Sequence, residues 1–168
     1  MIPLYWLLNK FKFHSGRKTA LCWLFSCYLA AVYVLVGMPS VTYIRLELNL
    51  NIIPFLGMID DLKNSILNVL LFVPLGLMLP MLWEKYRVKR NAVLFGFGLS
   101  LCIELAQIFT FRATDVNDLI TNTLGTFLGC CAADLLPGPI SGREKAGEAY
   151  LVCGITFAVM FFINPLFL

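Results

Sequence analysis

Five apolar runs, at about residues 19–37, 64–83, 91–109, 118–136 and 149–168, constrain this chain more than any other feature. Each has the roughly 17 to 25 residues that a helix needs to cross a hydrocarbon core of about 30 Å. None alternates apolar and polar residues with period two, which excludes a transmembrane barrel. Apolar residues make up 60% of the sequence and charged ones 14%, against roughly 45–50% and about 25% in soluble domains. The expected fold is therefore all-α and integral to a membrane. It is a bundle of about five transmembrane helices, forming a single domain over residues 1–168.

Orientation follows from the cations. Lys10, Lys12, Arg17 and Lys18 precede the first run, Lys85, Arg87, Lys89 and Arg90 separate the second from the third, and Arg143 and Lys145 separate the fourth from the fifth. By the positive-inside rule these loops are cytoplasmic, so the N-terminus is expected inside and the C-terminus outside. Residues 38–63 and 110–117 then lie outside, with Arg45, Lys63 and Arg112 as their cations. The basic loops are short and carry no recognition motif, so the positive balance is a topology signal and no nucleic-acid partner is expected. Residues 1–18 mix aromatic and basic residues, which suits a segment lying at the inner interface or a frayed terminus. The first run is too long for the apolar part of a secretory signal and is read as a retained anchor.

All six cysteines fall inside the runs, none in C-x-x-C spacing, and the single histidine, His14, is on the cytoplasmic side. Packing is the better reading of the cysteines, and neither a metal nor a cofactor is expected. The stretch at 136–142 is rich in proline and glycine and reads as a tight connector. The fifth run carries no motif and is expected to flank the core.

Polar residues gather at one depth. If the second run enters from outside, Asn64 lies at the outer surface and Asn68 about 6 Å deeper, at 1.5 Å per residue. On the third run Gln107 is near the outer surface with Glu104 one turn below, and on the fourth Asp118 is at the rim with Asn122 one turn down. Gly96, Ser100, Glu104 and Gln107 share one helix stripe, and Asp118, Asn122, Gly125 and Gly129 share another. Small residues deep in each stripe allow close helix approach. Pro74 should kink the second helix near Gly76. An outer-leaflet polar pocket lined by three helices is the expectation.

Each polar residue has a structural alternative. Asn68 and Asn122 serve equally as hydrogen bonds between helices, and Gly125 and Gly129 as packing residues. Asp115 and Asp118 adjoin a helix N-terminus, where capping explains one of them more easily than both. Arg112 has two readings, an ion pair with these carboxylates or a ligand contact. A carboxylate at Glu104 must hold a proton or find a cation, so Glu104 is also the candidate general base.

Four segments together resemble the VanZ family. They are Asn51 to Phe55 with Pro54; Asn68 to Gly76 with Pro74; Glu104 to Phe109 with Gln107; and Arg112 to Gly129 with Asp115, Asp118, Asn122 and Gly125. The resemblance implies an accessory role in bacterial glycopeptide resistance, lowering sensitivity to the lipid-tailed teicoplanin, without an assigned reaction. Combined with the depth argument, it points to an outer-leaflet pocket for an amphiphile in the bacterial cytoplasmic membrane. The ligand would be a lipid-linked cell-wall precursor or a lipoglycopeptide, in contact with membrane lipids and met by Asn68, Glu104, Gln107, Arg112, Asp115, Asp118 and Asn122. A second reading is an intramembrane enzyme acting on a lipid or cell-wall headgroup. There Glu104 would be the base, Asp115 and Asp118 hard-oxygen ligands for Mg²⁺ or Ca²⁺, and Arg112 a phosphate contact. A transporter is a third reading, disfavoured because carrier sites lie near the midplane.

Overall fold

The computed structural model describes residues 16–42, 44, 46, 50–51, 53–55, 61–110, 114–136 and 147–163. The interfacial segment up to residue 15, the connector from 137 to 146 and Arg112 lie outside them. Five helices are described: α1 (Gly16–Leu35), α2 (Leu62–Leu82), α3 (Lys89–Gln107), α4 (Val116–Ala133) and α5 (Glu148–Ile163). A 3-10 turn at Glu84–Arg87 joins α2 to α3. Two short strands, β1 (Leu50–Asn51) and β2 (Thr114–Asp115), pair in parallel, Leu50 with Thr114 and Asn51 with Asp115. The helices begin one to three residues before the apolar runs that predict them, because a polar first turn costs a helix little.

α1 and α2 are long and apolar enough to cross a membrane. All five helices turn large apolar side chains outward, among them Leu24 on α1, Leu70 on α2, Leu101 on α3, Phe127 on α4 and Phe162 on α5. A water-exposed surface rarely carries so much apolar area.

α4 is the central helix, packed against α2 on one side and α3 on the other. Its contact with α2 is backbone on backbone. A Cβ at Gly129 would meet the Val73 carbonyl and lie 2.9 Å from Leu77 N, and one at Gly76 would lie 2.8 Å from Cys130 N. Gly125 meets the Val69 carbonyl in the same way. Gly96 on α3 instead receives the Thr126 side chain. The two stripes read from the sequence thus meet only in part, since the glycines of α4 face α2 while Asn122 faces α3.

α4 is rich in threonine, and its hydroxyls bond within the helix. Thr121, Thr123 and Thr126 donate to the carbonyls of Asn117, Leu119 and Asn122 at 2.7–3.0 Å, which removes their demand for water. α2 continues through Pro74 and Pro80. Near Pro74, the Tyr28 hydroxyl from α1 donates to the Leu71 carbonyl at 2.7 Å, tying α1 to α2.

α5 packs on α1. At its start Glu148 receives Lys18 Nζ at 2.6 Å and Trp83 Nε1 at 3.2 Å. Midway, Thr156 Oγ1 donates to Ser26 Oγ at 3.1 Å, and at its far end the Val41 amide donates to the Phe161 carbonyl at 3.1 Å. α5 flanks the bundle on α1, bonded to it at Lys18 and Ser26 and to the segment after it at Val41. The same contacts fix the running order. The ends of α1 and α3 and the starts of α2 and α4 share one end of the bundle, and the Lys18–Glu148 pair marks the other.

Candidate functional site

At the end of the bundle where α2 and α4 begin lies a cavity of about 450 Å³. Its apolar wall is Leu35, Val36, Leu67 and Leu71, and its polar wall is Asp61, Asn64, Asn68, Gln107, Asp115 and Asp118. Four of the residues singled out from sequence, Asn68, Gln107, Asp115 and Asp118, line it together. Asp61 escaped the sequence reading. It precedes an apolar run, and its carboxylate accepts from Asn64 Nδ2 at 2.6 Å.

Asp115 and Asp118 divide their work. Asp115 is the N-cap of α4, its Oδ1 accepting the Asn117 amide at 2.8 Å, while Oδ2 accepts Asn51 Nδ2 at 3.0 Å. Such a cap satisfies one of the helix's orphan donors and is worth about 1 kcal/mol. Asp118 lies in the first turn, where a carboxylate complements the helix dipole, and faces the cavity as well.

Glu104 and Asn122 are buried to the same degree, 3% exposed each, but are not part of the cavity lining. Glu104 Oε2 accepts the Asp115 amide at 2.9 Å, and the Glu104 carbonyl accepts the Thr114 hydroxyl at 3.1 Å. The carboxylate at the end of α3 therefore holds the start of α4 in place, and through it the Asp115 side chain. Asn122 Nδ2 donates to Ser100 Oγ at 2.9 Å, joining α4 to α3, while its Oδ1 is buried without a hydrogen-bond partner among the described residues. Turning the amide over would exchange the matched atom for the unmatched one, because the serine offers a single oxygen.

Asn117 is a second residue that the sequence reading passed over. It is 4% exposed, and its Oδ1 accepts the Phe55 amide at 2.7 Å. Phe55 has φ of 66°, a left-handed conformation costly for a bulky residue, following Pro54. The bond to Asn117 holds this turn against the start of α4. With the Asn51 to Asp115 bond it fastens the segment after α1 to the cavity rim.

Gln107 combines two properties. Its Nε2 donates to the Val36 carbonyl at 2.8 Å, tying α3 to the end of α1, and its Oε1 is buried with no hydrogen-bond partner among the described residues. Among those residues no group of three or more His, Cys, Asp or Glu side chains stands close enough to hold a metal ion. All six cysteines are free, and Cys130 donates weakly to the Tyr86 carbonyl at 3.9 Å.

The four segments that carry the family resemblance thus converge. Asn51 and Phe55 bond to Asp115 and Asn117, Glu104 bonds to Asp115, and Asn68 shares the cavity with Gln107, Asp115 and Asp118. Comparison with known proteins agrees. No solved structure matches the chain. Protein VanZ of Enterococcus faecium is 39% identical over 116 residues, a match that covers 68% of this chain and 70% of that protein. A sequence model of the VanZ/LLP1 family matches residues 20–137, the segment that holds every cavity-lining residue and leaves out Lys18 and α5. This chain belongs to the VanZ/LLP1 family.

Proposed function

We propose that this protein crosses the bacterial cytoplasmic membrane with all five helices and lowers sensitivity to teicoplanin-type lipoglycopeptides. It does so by holding an amphiphile in a cavity that opens at the outer leaflet. Arg17, Lys18, Lys85, Arg87, Lys89 and Arg90 fall at the Lys18 end of the bundle, which the positive-inside rule assigns to the cytoplasm. The cavity is at the opposite end. The outward apolar side chains on all five helices suit acyl chains.

The observation that carries the reading is the two-faced cavity. Leu35, Leu67 and Leu71 offer an apolar wall to a hydrocarbon tail, while Asn68, Gln107 and Asp118 offer polar atoms to a headgroup. Its volume of about 450 Å³ falls within the roughly 300 to 1,000 Å³ of small-molecule sites. The occupant is a lipid-linked envelope precursor or the lipid-tailed antibiotic itself. An enzymatic role for Glu104 is less well supported, because its carboxylate already accepts the Asp115 amide and is buried away from the cavity lining.

The test is teicoplanin susceptibility of a sensitive bacterial host expressing the protein. Asp118→Ala and Gln107→Ala, inserted at wild-type levels, are expected to abolish protection. Full protection by both variants would overturn the reading.

A further inference from the structure

The turn between α2 and α3 gathers positive charge at the end of the bundle away from the cavity. From Glu84 to Arg90 stand four cations, Lys85, Arg87, Lys89 and Arg90, and one carboxylate. The backbone that carries them is held from below. Trp83 and Tyr86 are buried, and Asn91 Nδ2 donates to the Lys85 carbonyl at 2.9 Å.

Two of the four cations are engaged. Lys89 meets Asp134, at the end of α4, at 2.9 Å, and Lys85 Nζ lies 5.6 and 5.8 Å from the ring centres of Tyr86 and Tyr150. Arg87 and Arg90 are exposed and form no side-chain hydrogen bond or ion pair among the described residues. Nor does Arg90 serve its own helix, since it stands in the first turn of α3, where the dipole opposes a cation. The connector at 137–146 carries Arg143 and Lys145 against Glu144 alone, so its composition does not neutralise the turn.

The same surface is apolar between its charges. Val88 is 59% exposed, Tyr150 58% and Leu135 88%. The Lys89–Asp134 pair brings Leu135 beside the turn, and the Lys85 contact brings Tyr150 there. A nucleic acid or a free phosphate would match the cations and leave these three uncovered. A phospholipid covers both, its phosphate meeting the planar forks of the arginines and its chains the apolar residues. Phosphatidylcholine brings its own cation with the phosphate, whereas phosphatidylglycerol brings net negative charge. The positive-inside rule counts cations alone and asks for neither the arginine forks nor the apolar residues among them.

We propose that the α2–α3 turn docks an anionic phospholipid of the inner leaflet, with Arg87 and Arg90 on its phosphate and Val88, Leu135 and Tyr150 against its chains. The proposal rests on the membrane-crossing reading above and concerns the end of the bundle opposite the cavity.

The experiment is native mass spectrometry of the full-length protein in detergent, mixed with equal amounts of phosphatidylglycerol and phosphatidylcholine of the same chains. Phosphatidylglycerol adducts are expected to exceed phosphatidylcholine adducts by about tenfold or more, as attraction of two cations to an anionic lipid implies. Arg87→Gln with Arg90→Gln should bring the two lipids to parity at near-wild-type melting temperature, because neither side chain has a partner to lose. Lys63→Gln, which removes one exposed cation at the other end, should keep the preference. Equal retention of the two lipids by the wild type would overturn the proposal and leave the membrane-crossing reading standing. A preference that survives in the double variant would overturn the assignment to Arg87 and Arg90. Displacement of the adducts by equimolar glycerol phosphate or polyglutamate would hand the surface to a free phosphate or an acidic protein and overturn the lipid assignment. A protein that retains neither lipid and stays monodisperse without detergent would overturn both readings.

Discussion

The two ends of the bundle use similar residues to opposite effect. At one end Lys18 and Glu148 meet at 2.6 Å, and Trp83 donates to the same carboxylate oxygen. Aromatic rings seal the pair, with Phe25 against Trp83 at 5.5 Å and Trp83 against Tyr86 at 6.1 Å between centroids. At the other end Asp61, Asp115 and Asp118 line a cavity together with Asn64, Asn68 and Gln107. Charge inside apolar surroundings is tolerated when it is paired. A saturated cluster stabilises the fold and has nothing left to offer a ligand. Polar side chains that border a cavity can in addition meet an occupant.

The closed end should break hardest. Glu148→Ala leaves Lys18 buried without its carboxylate, which costs about 3 to 5 kcal/mol, and thermal unfolding in detergent should show a large fall in midpoint. Lys18→Met with Glu148→Leu should recover most of it, since an apolar pair of similar volume replaces a buried ion pair at little cost. A small effect of the single substitution would mean that the pair is not sealed. Next comes the seam that carries both ends. Gly129→Val forces a side chain into the α2 backbone, which cannot yield as a side chain can, and should cost about 1 to 3 kcal/mol by the same assay.

Smaller effects separate support from binding at the cavity end. Glu104→Ala leaves the Asp115 amide without its acceptor and should cost about 1 to 2 kcal/mol, whereas Glu104→Gln keeps an oxygen there and should unfold near wild type. If both fail alike, charge rather than the hydrogen bond is what α4 needs from Glu104. Gln107→Met should change stability least, by under about 1 kcal/mol, because it loses one hydrogen bond and removes one unmatched oxygen. Its teicoplanin protection should nonetheless fall to background, and retention of protection would merge the two ends into a single structural class.

The helices were legible because apolar length is a local property that survives without tertiary information. So was the convergence of Asn68, Gln107, Asp115 and Asp118, since helix phase and alternating direction fix depth. Partners separated by long stretches of chain were not. Lys18 and Glu148 are 130 residues apart, and nothing in either segment announces the other. The parallel pairing of β1 with β2 spans two residues, too short for any periodic signal. Asn117 sits between two aspartates and reads as one more polar residue of a helix start; its partner, the Phe55 amide, lies 62 residues away. Glu104 was correctly seen as buried. Its role as the anchor of α4 depends on a backbone amide, and backbone amides have no sequence signature.

The Gln107 amide nitrogen holds the Val36 carbonyl, one residue past α1, while the Gln107 side chain borders the cavity. α1 is fastened chiefly to α5, while α2, α3 and α4 form a separate tightly packed group. A ligand that displaces the Gln107 side chain therefore loads the joint between these two parts. Occupancy would be felt as tension at Val36, and a label at the end of α1 would register it even where no ligand atom reaches.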